Sequence, residues 1–458
     1  MAINPLKQRR AGILLHPTSL PSGKLEQDVE PWLNFMQAAG LTIWQMLPIV
    51  IPDHTGSPYQ SCSAFAMNPA LFDIDAQAIE QIDKSSNLLI DFIKQESDWL
   101  LDFALFKALK QRFGDIPWKQ WPDEFKYRDP EALEQLQEEK ADEIEQVILT
   151  QFLCFQRWRL VRQQANQKGI FLFGDMPIFV AYDSADVWAN PKQFLLDEQL
   201  NPTFVAGVPP DYFSATGQLW GNPHYNWEAM RQDGFAWWKA RILHKLDRFD
   251  IVRIDHFRGL SACWMVPADA ETAIDGEWVD TPGDELLTEL QASIQDLPIV
   301  AEDLGVITED VVALKKKYEL PGMVVLQFAF DSFADNPHKP KNITANNIVY
   351  TGTHDNNTTA GWFNELQPNE QQFVLDVLEL PGCQKITDCM IDTALKTRAS
   401  TAIFPLQDLL GLGGEARMNT PGQTDRNWQW RFQWSDIPED LAQQMHDKIK
   451  KSGRLYAN

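Results

Sequence analysis

The sequence predicts an α/β chain closed into a (β/α)8 TIM barrel. Three observations carry that prediction: eight short apolar runs that end in polar, Gly or Pro residues, amphipathic helical stretches between most of them, and charged groups concentrated where the runs end. Strands of a parallel sheet are covered on both faces and read as almost continuous apolar runs. The polar residues that follow mark the C-terminal, functional end.

The runs fall at 12–17, 42–48, 170–177, 251–255, 299–303, 323–330, 348–355 and 402–408. Between them, 31–39, 236–248, 285–295 and 308–318 place apolar residues at i, i+3 and i+4, the period of a helix with one buried face. Strand and helix alternating eight times favours closure over an open doubly wound sheet. Two intervals exceed a simple crossover. After the second strand, 57–165 is mostly helical and strongly charged, with Phe106, Leu109, Phe113, Leu133, Leu136, Ile144, Val147 and Ile148 spaced for packing. It reads as a helical insertion subdomain. After the third strand, 181–233 is rich in Pro, Gly, Asn and aromatics and reads as a loop-rich insertion over the active site. Residues 1–458 are expected to form one catalytic barrel carrying both.

Composition narrows the partners. With 44% hydrophobic and 23% charged residues the chain can build a large core, and 40 basic against 64 acidic residues leave a net charge of −24. That surface repels phosphate backbones and anionic lipid, so neither nucleic acid nor membrane is an expected partner. Cysteines at 62, 154, 263, 383 and 389 show no CxxC spacing and read as free thiols in a reducing compartment. The apolar run 11–15 is too short for a signal-peptide core and no run has membrane-spanning length, so the expected location is cytoplasmic. Seventeen tryptophans supply flat faces suited to the C–H patches of sugars.

The sharpest local signal is DIVRIDHFRG at 250–259, where an apolar run gives way to Arg253, Asp255, His256 and Arg258. Glu302 in VAEDLG and Asp355 in TGTHDNN end two later runs. An Asp at a strand end usually caps the next helix. Three acidic residues on the fourth, fifth and seventh staves, followed by Gly, Asn or Phe-Arg-Gly, converge instead on one barrel mouth. A carboxylate pair about 5 Å apart suits retaining attack on an acetal. Arg253 shares a strand face with Asp255 and favours its ionised form, whereas the apolar residues before Glu302 favour a protonated acid.

VRIDHFRG, AEDLG and THDN, together with FGDMPIFVAYDSADVW, resemble the four signature regions of the α-amylase superfamily. GILLHPTSLPS, WQMLPI, SPYQSCSAFAMNP, GVPPDYFSATGQLWGNPHYNW, LGGEARMNTPG and NWQWR bring the resemblance closest to the 4-α-glucanotransferases called amylomaltases or disproportionating enzymes. The resemblance implies that Asp255 is the nucleophile, Glu302 the general acid/base and Asp355 the stabiliser of a distorted sugar. It implies contacts to the nucleophile and the adjoining sugar from Arg253 and His354, an acidic signature residue at Asp175, and an aromatic platform at Tyr59. Tyr212, Phe213 and Trp220 correspond to a lid, stiffened at its entrance by Pro209 and Pro210.

The activity so implied is retaining transfer from an α-1,4-glucan or maltooligosaccharide donor to the 4-hydroxyl of an acceptor sugar, with neither metal nor cofactor. The alternatives are an α-1,4-glucan hydrolase using the same triad and a sugar-binding protein on a retired scaffold. A metal-dependent hydrolase is disfavoured because no HxH pair lies on one strand. The chain departs from the family pattern at SGKLEQDV, residues 22–29, at Asn357 where Asp is usual, and at Cys62 and Met67. These departures bear on acceptor preference and outer subsites.

Overall fold

The computed structural model describes residues 4–210, 214–378, 384–423 and 425–456. Eight parallel strands, Arg10–Leu14, Ile43–Gln45, Phe171–Pro177, Ile251–Asp255, Ile299–Ala301, Gly322–Val325, Asn347–Tyr350 and Thr401–Pro405, are the staves of a closed barrel in chain order. Closure comes from pairing of the first stave with the eighth as well as the second. The chain is therefore the (β/α)8 barrel its sequence predicts.

The two-residue period of a strand sorts the side chains into layers. Leu14, Ile43, Phe173, Ile251, Val300, Met323, Ile348 and Ile403 fill the barrel. Their neighbours Ile13, Trp44, Leu172, Val252, Ile254, Ile299, Val349 and Ala402 face outward into one continuous apolar layer shared with the helices. Several staves are shorter than the apolar runs. The last residues of those runs have no neighbour in register and leave the sheet as loops at the C-terminal mouth. The largest differences are at 323–330, where the stave stops at Val325, and at 348–355, where it stops at Tyr350 and Asp355 lies on the loop beyond.

Helix Ala236–Arg248 lies where its pattern places it, and Gly283–Ser293 and Glu309–Lys317 lie within two residues. Leu25–Ala39 begins a turn and a half before the expected start at Pro31, which sits inside the helix on its exposed side. Between the second and third staves run Ala76–Glu80, Asn87–Gln95, Leu100–Arg112, Asp123–Lys126, Pro130–Glu139 and Ala141–Gln167. We propose that 57–165 is a helical insertion without a separate core, because its buried Phe103, Phe106, Leu136 and Phe152 belong to the layer that covers the barrel.

The stretch 181–233 carries short elements between its loops. Its strands Phe204–Val208 and Gln218–Pro223 join Ala262–Pro267 and Glu277–Asp280 in an antiparallel four-stranded sheet. At Gly207 a Cβ would lie 2.4 Å from the Gln218 carbonyl oxygen, so only glycine permits that approach. Cys62, Cys154 and Cys263 are free, but Cys389 is disulfide-bonded, contrary to the expectation of five free thiols. No helix among the described residues is long and apolar enough to cross a membrane.

One buried ion pair ties the insertion to the barrel. Glu96 bonds Arg248 at the end of Ala236–Arg248, and Trp99 Nε1 donates to Glu96 at 2.7 Å. Removing the cation strands a buried carboxylate, so Arg248→Ala is expected to cost about 3–5 kcal/mol. Urea unfolding at pH 7 measures this; an unchanged midpoint would contradict it.

Candidate active site

The alternation that sends Ile251 into the barrel also sends Arg253 and Asp255 inward, the last of them at the mouth. On the neighbouring stave, Phe173 points inward and so does Asp175, which pairs in register with Arg253. The residue between, Gly174, faces the Phe249 ring, which a Cβ would meet at 2.4 Å. Arg253 clamps Asp175 through two bonds, Nε to Oδ1 at 2.8 Å and Nη2 to Oδ2 at 2.7 Å. The same Nη2 lies 2.8 Å from Asp255 Oδ1 and donates to Tyr59 Oη at 3.1 Å. Burial works against the Arg253 charge, but Asp175 and Asp255 outweigh it and hold its pKa above the ordinary value.

Tyr59, from the loop after the second stave, donates to Asp175 Oδ2 at 2.6 Å and lies 2.9 Å from His354 Nε2. Because the Tyr59 proton goes to Asp175, the network fits a His354 tautomer whose Nε2–H donates to Tyr59 Oη. The two rings stack at 5.3 Å with an 8° interplanar angle. Burial lowers the His354 pKa more than the Asp355 charge raises it, so the imidazole is neutral at pH 7.

Glu302 follows the fifth stave directly. Its Oε2 accepts the His256 N–H at 2.8 Å and its Oε1 the Leu304 N–H at 2.9 Å. The first donor is available because His256 adopts φ +55°, a left-handed turn off the end of the fourth stave. The adjacent acid, Asp303, is occupied elsewhere: it pairs with Lys315 and accepts the Met323 N–H, bracing the sixth stave. Asp355 is positioned by Asn419 Nδ2, which donates to its Oδ1 at 2.6 Å, and by Arg417, which bonds its carbonyl oxygen.

Burial pushes the Glu302 pKa up to about 7 against the opposing charge of Arg253. Burial also raises Asp255, opposed by Arg253 and reinforced by Asp175, Glu302 and Asp355. Neighbouring carboxyls of this kind titrate as a pair that holds one proton near neutrality. Arg253 touches Asp255 directly, and the Asp255 side chain keeps 31% of its surface exposed. Both features favour the charged form of Asp255 against the burial that raises it.

The three acids, Tyr59, His354 and Arg253 line one open cleft of about 430 Å³, within the usual range for ligand sites. Trp220 reaches it from the accessory sheet and packs its edge against His256 at 4.9 Å. Tyr212 and Phe213 lie outside the described residues. Sequence reasoning gave no role to Asn419, Arg417 or Trp428. They come from loops beyond the eighth stave, and the signals were LGGEARMNTPG and NWQWR. Asn357 contributes nothing to the cleft wall. Its Nδ2 donates to Glu365 at 2.7 Å, where an aspartate would face like charge.

A closed parallel barrel whose mouth gathers an arginine-bonded aspartate, a buried glutamate of raised pKa and a third carboxylate defines a carbohydrate-active barrel enzyme of the kind that works on glycosidic bonds. The family model described as 4-alpha-glucanotransferase, glycoside hydrolase family 77, matches residues 14–89 and 75–436. The chain is 44% identical over 486 aligned positions to a 4-alpha-glucanotransferase of Synechocystis, covering 95% of this chain and 96% of that one. It is 40% identical over 496 positions to the one from Thermus thermophilus, covering 98% and 99%. The structure of amylomaltase from Streptococcus agalactiae in complex with acarbose superposes with a TM-score of 0.93 at 33% identity, covering 98% of this chain and all of that one. The chain belongs to the 4-alpha-glucanotransferase family.

Proposed function

We propose that this protein is a retaining 4-α-glucanotransferase that disproportionates maltooligosaccharides by double displacement. The observation that carries the reading is the pairing of an Arg253-bonded Asp255 with a Glu302 whose proton is held to about pH 7, in one cleft. Asp255 attacks C1 of the donor sugar as Glu302 gives its proton to the departing 4-oxygen, leaving a glycosyl ester on Asp255. The acceptor 4-hydroxyl then loses its proton to Glu302 and attacks C1, which regenerates both groups and retains the α configuration.

Asp355 and His354 are assigned to the hydroxyls of the reacting sugar, with the stacked Tyr59 ring as its platform. Arg253 keeps Asp255 charged, and Asp175 in turn fixes Arg253. Trp220, together with Tyr212 and Phe213, is assigned to the cover that keeps water from competing with the acceptor.

Maltotriose as the sole substrate tests the transfer. Transfer yields glucose together with maltopentaose and longer chains at constant reducing-end count. Glucose and maltose alone, with a rising reducing-end count, would instead identify a hydrolase. Tyr59→Phe keeps the ring and deletes the hydroxyl that links Asp175, Arg253 and His354. It is expected to lower kcat/KM by about 10- to 100-fold, the worth of a hydrogen bond to a charged group, with thermal stability changed little. Initial rates on maltotriose check this, and an unchanged kcat/KM would remove the network from the mechanism.

A further inference from the structure

A second, much smaller cavity lies against the cleft. Tyr59, Pro177 and Phe179 line both. Its volume is about 20 Å³, enough for one water-sized occupant. Lys245 and Arg241, one turn apart on Ala236–Arg248, also line it, and the rest of its wall is largely apolar, including Val50, Ala64 and Val180.

Lys245 is 4% exposed, yet its ammonium has no hydrogen-bond or ion-pair partner among the described residues. Arg241 is 2% exposed. Its Nη1 donates to the Ile178 carbonyl and Tyr225 Oη, its Nη2 donates to the Pro177 carbonyl, and its Nε has no partner. Of the carboxylates that influence Lys245, Asp175 is paired with Arg253, whereas Asp186, which accepts the Ala64 N–H at 2.8 Å, acts on both Lys245 and Arg241. Arg248, the other cation acting on Lys245, is paired with Glu96. Arg241 and Lys245 thus share one buried carboxylate, Asp186, beside one cavity, Arg241 Nε has no partner, and burial lowers the Lys245 pKa to about 7, which a bound anion would oppose.

We propose that this cavity binds one small monovalent anion, chloride in size and charge, between Lys245 Nζ and Arg241 Nε. The volume excludes phosphate and sulfate. The bound ion keeps Lys245 charged, and because Tyr59 forms part of the wall, occupancy stiffens the floor of the cleft.

Two measurements test the site, and both are independent of the transfer reaction. Crystals of the wild-type protein soaked in sodium bromide are expected to show an anomalous peak in contact with Lys245 Nζ and Arg241 Nε. In solution, Tm is expected to rise by a few degrees, saturably, as sodium chloride replaces sodium gluconate at constant ionic strength. Lys245→Met, which keeps the length and removes the charge, is expected to lose that saturable rise while keeping its activity in gluconate. No bromide at Lys245, equal Tm in the two salts, or a chloride response that survives in Lys245→Met would each overturn the proposal. If Lys245→Met does not fold, the bromide position in wild-type crystals decides alone.

Discussion

Asp255→Asn is expected to slow maltotriose disproportionation by about 10⁴-fold or more in a protein that stays folded. The amide has nearly the shape of the carboxylate but cannot form a glycosyl ester at a useful rate. Its fold should survive because Arg253 retains both bonds to Asp175. Burial also disfavours the Asp255 charge in the native state, so neutralising it removes a cost as well as a contact. Chromatography of the products against time measures the effect. Asp255→Ala, which cannot revert by deamidation, serves as a second check. Turnover within tenfold of wild type in both variants would remove Asp255 from the chemistry.

The second large effect is expected at Glu302, where identity and pH dependence are linked. Glu302→Gln should lower kcat on maltotriose by about 10²- to 10⁴-fold, the contribution of one general acid/base. The loss should be far smaller for the first step with a glycosyl fluoride, whose leaving group needs no proton. In the wild type, the acid must be protonated in the free enzyme. With the Glu302 pKa raised from 4.5 to about 7, kcat/KM is expected to hold below pH 7 and fall as pH rises through it. The stability sign is the same. A carboxyl whose folded pKa is raised contributes stability fully present below 4.5 and lost as pH rises through about 7. Rate profiles from pH 5 to 9 read the activity limb. A limb unchanged in Glu302→Gln would assign it to another group.

Much of this was legible before any coordinates. The staves could be read because parallel strands are covered on both faces, which forces apolar runs. Asp255, Glu302 and Asp355 stood out together because three acidic run ends converge on one barrel mouth, whereas one alone usually caps a helix. Ile251, Arg253 and Asp255 share one face by period alone, so the direct Arg253–Asp255 contact follows from their spacing. Other features lacked a local signal. The accessory sheet joins strands separated by the fourth stave, and its residues alternate too irregularly around Gly207 and Pro223 to suggest pairing. Asn419 reaches Asp355 because the eighth stave pairs with the seventh, and Trp428 reaches Tyr59, on the loop after the second stave, because the barrel closes. Proximity across a closed barrel is not a property of any short window of sequence.

The most direct test of the central claim is mass spectrometry of Glu302→Gln treated briefly with α-maltosyl fluoride and digested with pepsin. Fluoride departs without an acid, but the deacylating attack lacks its base, so the glycosyl-enzyme accumulates. The predicted result is one maltosyl unit on the peptide that contains Asp255. An adduct on Asp355 or Asp175, or products of inverted configuration with no adduct, would contradict the account.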